Sequence, residues 1–116
     1  LLRNEGLLPL AVPQRIAVLG PNAHRAAALQ GCSSFANHVL VHHPGVEQGF
    51  EAPTVLDALA AAMPDARIVH ERGVDVEGDD ASGIPLAVAA ASEADVAIVV
   101  VGDDAGLFGR GTVGEG

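Results

Sequence analysis

Three short apolar runs, separated by two helical patterns, organise this chain. Arg15-Ile16-Ala17-Val18-Leu19 is followed by Gly20-Pro21-Asn22 and reads as a buried strand closed by a turn. Ala23 to Leu29 is compatible with one or two helical turns. Pro53-Thr54 then opens a helix: Thr54 can cap its first N–H groups, and Asp57 suits the positive end of its dipole. Val55, Leu56, Leu59 and Met63 recur at helical spacing on one face, and Pro64 ends the pattern. Ala66 to Val69 predicts a second strand. Ile84 to Ala94 predicts a second helix, with Ser82 as cap and Pro85 in its first turn. Asp95 to Val101 predicts a third strand, apolar on both faces as a central strand of a parallel sheet would be.

The order strand, loop, helix, strand, helix, strand predicts an α/β fold, with a mostly parallel sheet and helices on both faces. Gly31 to Phe50 shows no period, and long irregular segments of compact domains are often functional. Within it, Val39-Leu40-Val41 has the makings of a short edge strand.

Composition narrows the picture. Of 116 residues, 49% are hydrophobic, but aromatic residues make up only 3%. Ala, Val and Leu bury little area each, so the core should be thin and the chain marginally stable by itself. The chain opens on Leu1 and closes on Gly114-Glu115-Gly116 within a loop, and is expected to be a piece of a longer polypeptide. Six basic residues face 15 acidic ones, for a net charge of −9. Phosphate backbones and anionic membrane surfaces are disfavoured partners for such a chain. A neutral ligand such as a sugar is compatible with it. Cys32 has no second cysteine to pair with inside the chain, and the run Val96 to Val101 is too short to span a bilayer. No signal peptide is visible, which leaves localisation unassigned.

Several candidate sites dissolve on inspection. Gly20-Pro21-Asn22-Ala23 follows a strand, but a dinucleotide fingerprint needs three glycines at fixed offsets and Pro21 removes an N–H. A strand-to-loop turn is the simpler reading. A calcium loop starting at Asp75 would need a glutamate at its twelfth position, which is Leu86. The stretch Asp75 to Asp80 is then a solvated acidic loop. His24, His38, His42, His43 and His70 lack the spacing of a zinc site, and no metal or cofactor is expected. Cys32 reads as a small hydrophobe.

The closing stretch, Asp103 to Gly116, is more informative. It follows the carboxyl end of the third strand, where open α/β sheets place ligands. Gly109, Gly111, Gly114 and Gly116 let its backbone approach a ligand closely. Glu115 could act there as a proton donor, although composition alone favours a plain mobile, exposed loop.

Taken together, the segments resemble glycoside hydrolase family 3. Leu1 to Leu10 reads LLRNEGLLPL and is similar to the family's "LLKNEGLLPL", which opens its C-terminal domain. Ile16 to Ala23 resembles "IAVIGPNA". Gly31-Cys32-Ser33-Ser34 resembles the "GGYS" loop, with Ser33 where an aromatic often stands. Thr54 to Leu59 resembles the helix that follows, and Arg72 to Asp75 resembles "GCD" with Val74 for Cys. Ala94 to Gly102 resembles "ADVAVVVVG", and Gly111 to Gly116 resembles "GTSGEG" with Val113 for Ser. The loop GLFGRGT is similar to bacterial β-glucosidase and β-xylosidase members.

The resemblance implies the N-terminal part of the family's C-terminal α/β sandwich domain, residues 1–116. It implies a retaining, exo-acting β-glycosidase whose nucleophilic Asp sits on a preceding barrel absent from this chain. The acid/base role carries over to Glu115, and Ser34 becomes a candidate contact to a sugar hydroxyl. Val113 lacks the hydroxyl common at its position. Arg110 is expected to face outward or to pair with Asp103 or Asp104, because a cation beside Glu115 would oppose the raised pKa a proton donor needs. Two rival readings stay open: a non-catalytic domain that packs on the barrel, and an unrelated domain that binds a small ligand.

Overall fold

The computed structural model describes residues 3–11 and 13–103. Within them the chain forms a three-stranded parallel sheet of β1 (Arg15–Leu19), β2 (Arg67–Glu71) and β3 (Val96–Val99), in the order β2-β1-β3. The helices are the short α1 (Phe35–His38), α2 (Val55–Ala62) and α3 (Ile84–Ser92). The α/β class with parallel strands is what the residue pattern predicted.

The central strand is β1, with Ala17 opposite Val69 on one side and Ala97 on the other. The expectation that the third strand is central is therefore corrected: β3 flanks β1 at one side of the described sheet. An apolar run reports two apolar faces, but its neighbours are decided by the crossovers. The chain leaves β1 for β2 on one side, then returns across β1 to β3 on the other. Right-handed crossovers in opposite directions place α2 and α3 on opposite faces of the sheet. Leu56, Leu59 and Met63 accordingly pack against Ile16 and Val18, with Ile68 and Ile98 on the same face. Ala90 of α3 and Ala94 just beyond it line a small cavity together with Val69, whose side chain alternates with that of Ile68.

The core is thin, as the Ala-rich composition predicts. Ile16 and Val18 are the largest fully buried side chains among the described residues. The sheet's amino end is stapled by Asp95, whose Oδ2 accepts the backbone N–H groups of Gln14 (3.1 Å) and Arg15 (2.9 Å).

Local side-chain bonding explains where element predictions hold or fail. Thr54 caps α2 as expected, and Asp57 does more than suit the helix dipole: its carboxylate accepts the Thr54 N–H, which makes a reciprocal capping box. Val39-Leu40-Val41 is not an edge strand: α1 and a 3-10 turn at Leu40–His42 occupy the region. Ser34 caps α1, and the Asn37 amide donates to the carbonyls of Gln30 (2.8 Å) and Ala27 (3.3 Å). Such bonds offer the backbone an alternative to extended pairing. Ser82 does not cap α3; Gly83 holds that position without a side-chain bond. A Cβ there would lie 2.5 Å from the Gly73 carbonyl oxygen, so a capping side chain has no room. The N–H of Ser82 instead meets Asp80 Oδ1 at 2.9 Å.

Candidate functional site

In a sheet ordered 2-1-3, the chain crosses from β1 to β2 on one side and returns past β1 to β3 on the other, so the strand order reverses between the neighbours β1 and β3. Open α/β sheets bind ligands at that switch point. Here it is built from Gly20-Pro21-Asn22-Ala23, after β1, and Val100 to Asp103, after β3.

The two exits are bound tightly together. The parallel ladder continues past β3, with Val100 N–H donating to Leu19 O at 2.7 Å and Asn22 N–H to Val100 O at 3.4 Å. Gly20 has a φ of +104°, and a Cβ there would collide with the Val100 carbonyl. Only glycine meets both demands. Asn22 is 4% exposed; its Nδ2 donates to the Gly102 carbonyl at 3.0 Å and its Oδ1 accepts from Arg25 Nη1 at 3.2 Å. Leaving either of its buried polar atoms unpaired would cost about 1–3 kcal/mol. The same loop reaches α2, since Leu56 N–H donates to Ala23 O at 2.9 Å.

Beside this junction, at the exits of β1 and β2, lies an open cleft of about 660 Å³. Its lining includes Pro21, His24, Arg25, His70, Arg72 and Asp75. The His24 and His70 rings meet edge to face, 6.2 Å apart at 63°. His24 Nδ1 lies 3.2 Å from Thr54 Oγ1. That hydroxyl already donates to Asp57 Oδ2 at 2.7 Å, so the network calls for a proton on His24 Nδ1. The Thr54 hydroxyl, then its backbone N–H, holds the Asp57 carboxyl below its usual range. Arg72 Nη1 meets Asp75 Oδ1 at 2.5 Å. His70 Nε2 is buried without a partner among the described residues. The cleft thus offers guanidinium donors, a carboxylate acceptor and imidazole edges, a mixture suited to a polyhydroxylated ligand. Among the described residues, no group of three or more His, Cys, Asp or Glu could hold a metal ion. Nor is any helix among them long and apolar enough to cross a membrane.

The residues singled out from the sequence fall in two places. Ser34 is the N-cap of α1; its Oγ accepts the Asn37 N–H at 3.2 Å. It does not line the cleft. Glu115, Arg110 and Val113 lie outside the described residues. Sequence reasoning passed over Asn22, Arg25 and the His24–His70 pair. The one signal for Asn22 was a polar residue in the Gly-Pro-Asn turn that closes the apolar run Ile16–Leu19, which reads equally well as turn chemistry.

A doubly wound sheet whose third strand runs out into a glycine-rich, glutamate-bearing segment defines an α/β domain with a polar site at its carboxyl edge. Residues 1–116 match the family described as Glycosyl hydrolase family 3 C-terminal domain, and the chain belongs to that family. It is also similar to a protein named Beta-xylosidase from Formosa agariphila, at 30% identity over 115 residues. That alignment covers 96% of this chain and 15% of the relative, so the chain spans a small part of its relative's length.

Proposed function

We propose that this chain supplies the acid/base group, Glu115, of a retaining exo-acting β-glycosidase that removes a terminal xylose or glucose unit. The observation that carries this reading is the place of the segment bearing Glu115. In sequence it follows Val100 to Asp103, which leave β3 at the β1/β3 switch point where open α/β sheets bind ligands. Family membership and a relative named Beta-xylosidase supply the reaction class, and the latter favours xylose.

The chemistry needs two carboxyl groups about 5–5.5 Å apart. A carboxylate on a preceding barrel, outside this chain, attacks the anomeric carbon. Glu115, as the neutral acid, gives its proton to the departing glycosidic oxygen as the carbon–oxygen bond breaks. The glycosyl ester is then cleaved by water, whose proton returns to Glu115. Burial beside the sugar and the negative nucleophile both raise the pKa of such a donor, keeping it protonated at working pH. Ser34 is a further candidate contact for a sugar hydroxyl, its Oγ–H remaining able to donate.

The test is Glu115→Gln in the full-length glycosidase. Turnover of alkyl glycosides, whose leaving groups need a proton, should fall at least about a hundredfold, within the range of general acid catalysis. Activated aryl glycosides should lose less in the bond-breaking step. Equal losses would remove the proton-donor role, and full activity would leave the domain only a packing role against the barrel.

A further inference from the structure

We propose that the cleft at the exits of β1 and β2 is a saccharide-binding site, in which His24, Arg72 and Glu77 bond the hydroxyl groups of a neutral sugar ring. The site is made wholly of described residues and needs no role for Glu115; only the choice of xylose as first probe follows from the proposed glycosidase reaction. The cleft's volume, about 660 Å³, is within the usual range of small-molecule sites.

Its polar groups converge in fixed orientations. His24 Nδ1 donates to the Thr54 hydroxyl at 3.2 Å, and the His24 ring meets His70 edge to face. Together these contacts hold the imidazole in one orientation. With the proton on Nδ1, Nε2 carries a lone pair with no partner among the described residues, so it accepts from a hydroxyl. His70 Nε2 is shielded from solvent, which makes that ring a wall behind His24 and not a ligand contact. Arg72 binds Asp75 through Nη1, and a guanidinium has further N–H donors to offer. Glu77 is exposed at the cleft and supplies an acceptor carboxylate. Pro21 and Val76 add apolar surface for the C–H face of a ring.

The same lining disfavours other ligands. Arg25 and Arg72 stand with Asp75 and Glu77, so the formal charges of these groups cancel and the carboxylates would repel a phosphate. Pro21 has no N–H with which to cradle one. Among the described residues no group of three or more His, Cys, Asp or Glu could hold a metal ion. Balanced charge, donors beside acceptors and some apolar surface fit a neutral polyhydroxylated ring.

The test is a chemical footprint on His24 in the full-length glycosidase. Diethyl pyrocarbonate acylates an unprotonated imidazole nitrogen, and peptide mapping by mass spectrometry reads each histidine separately. His43, exposed and outside the cleft, is the reference. Xylose should slow acylation of His24 about tenfold at about ten times its half-protecting concentration, where about a tenth of the sites stay empty. The rate at His43 should not change. Glu77→Ala removes an acceptor from an exposed position and should raise the half-protecting concentration about tenfold, the scale of a hydrogen bond to a charged group. Arg72→Met should act in the same direction. An inert His24 in the sugar-free enzyme would overturn the proposal, because another part of the polypeptide then fills the cleft. So would protection by inorganic phosphate but by neither xylose nor glucose, or no protection at all. Protection that neither substitution weakens would overturn it too, since the sugar would then act from elsewhere. Loss of the acid/base role in Glu115→Gln leaves these expectations unaltered.

Discussion

Gly20 and the carbonyl of Val100 approach each other so closely that no side chain fits between them. The contact locks the exit of β1 against the exit of β3, and the left-handed φ of Gly20 turns the chain into the buried Asn22 loop. Gly20→Ala should therefore suffer twice, from backbone strain and from a collision with a main-chain atom that cannot rotate aside. The expected loss is about 3 kcal/mol in equilibrium urea unfolding. Gly31→Ala is the control. Nothing lies within 4 Å of a Cβ at Gly31, so its midpoint should move by no more than about 0.5 kcal/mol. Equal effects of the two substitutions would remove the close approach as an explanation.

Those two glycines also show how far the sequence alone could reach. Gly20 was legible as a strand-ending turn, and β1 follows from its five residues because a short apolar run closed by Gly-Pro-Asn has few other readings. The Thr54 cap of α2 was legible for the same reason: the bonding is local. The Val39–Val41 segment was not. Its β-branched residues favour extended backbone, but Asn37, reaching back to the carbonyls of Ala27 and Gln30, decides the matter through contacts its own neighbours do not reveal. Asn22 was illegible as a site residue because its partner stands 80 positions away. The place of Glu115 rests on family motifs, whereas the switch point above which its segment begins follows from strand order.

Thr54 joins three groups that spacing alone does not connect. Its hydroxyl accepts from Asp57 N–H, donates to Asp57 Oδ2 and meets His24 at the cleft. Thr54→Val keeps the shape and loses all three bonds. It should lower stability by about 1–2 kcal/mol, the usual range for a helix N-cap. Thr54→Ser should recover most of that loss. If both variants unfold at the same urea concentration as the parent, the capping box contributes nothing.

Gly83 and Gly73 make a second close approach, where the acidic loop returns to α3. A Cβ at Gly83 would press on the Gly73 carbonyl, although the φ of Gly83 is ordinary. Gly83→Ala should cost about 1–3 kcal/mol through overpacking alone. Gly78, at φ +92° with open space around it, carries only the conformational penalty. Gly78→Ala should cost about 1–2 kcal/mol. Crystal structures of the two variants would separate the causes, with the Gly73 peptide displaced only in the first.

Acid should destabilise the fold through three aspartates held below the ordinary aspartate pKa of about 3.8. For Asp57 the chief cause is the Thr54 hydroxyl, for Asp80 the Ser82 side chain, and for Asp95 the Arg15 backbone N–H. Each carboxyl binds its proton more weakly in the folded chain than in the unfolded one. Below about pH 3.8 the unfolded chain therefore carries more protons on these groups, and stability rises with pH through that window. Their contribution is complete above the unfolded value and disappears as pH falls through the lower folded values. The urea midpoint should thus be insensitive to these groups between about pH 5 and 7 and fall steeply below about pH 4. Asp95→Asn should flatten part of that fall, since Asp95 ties the starts of β1 and β3 together and its amide replacement has no proton to gain. An acid limb that survives unchanged when all three aspartates are replaced by asparagine would show that other carboxyl groups govern it.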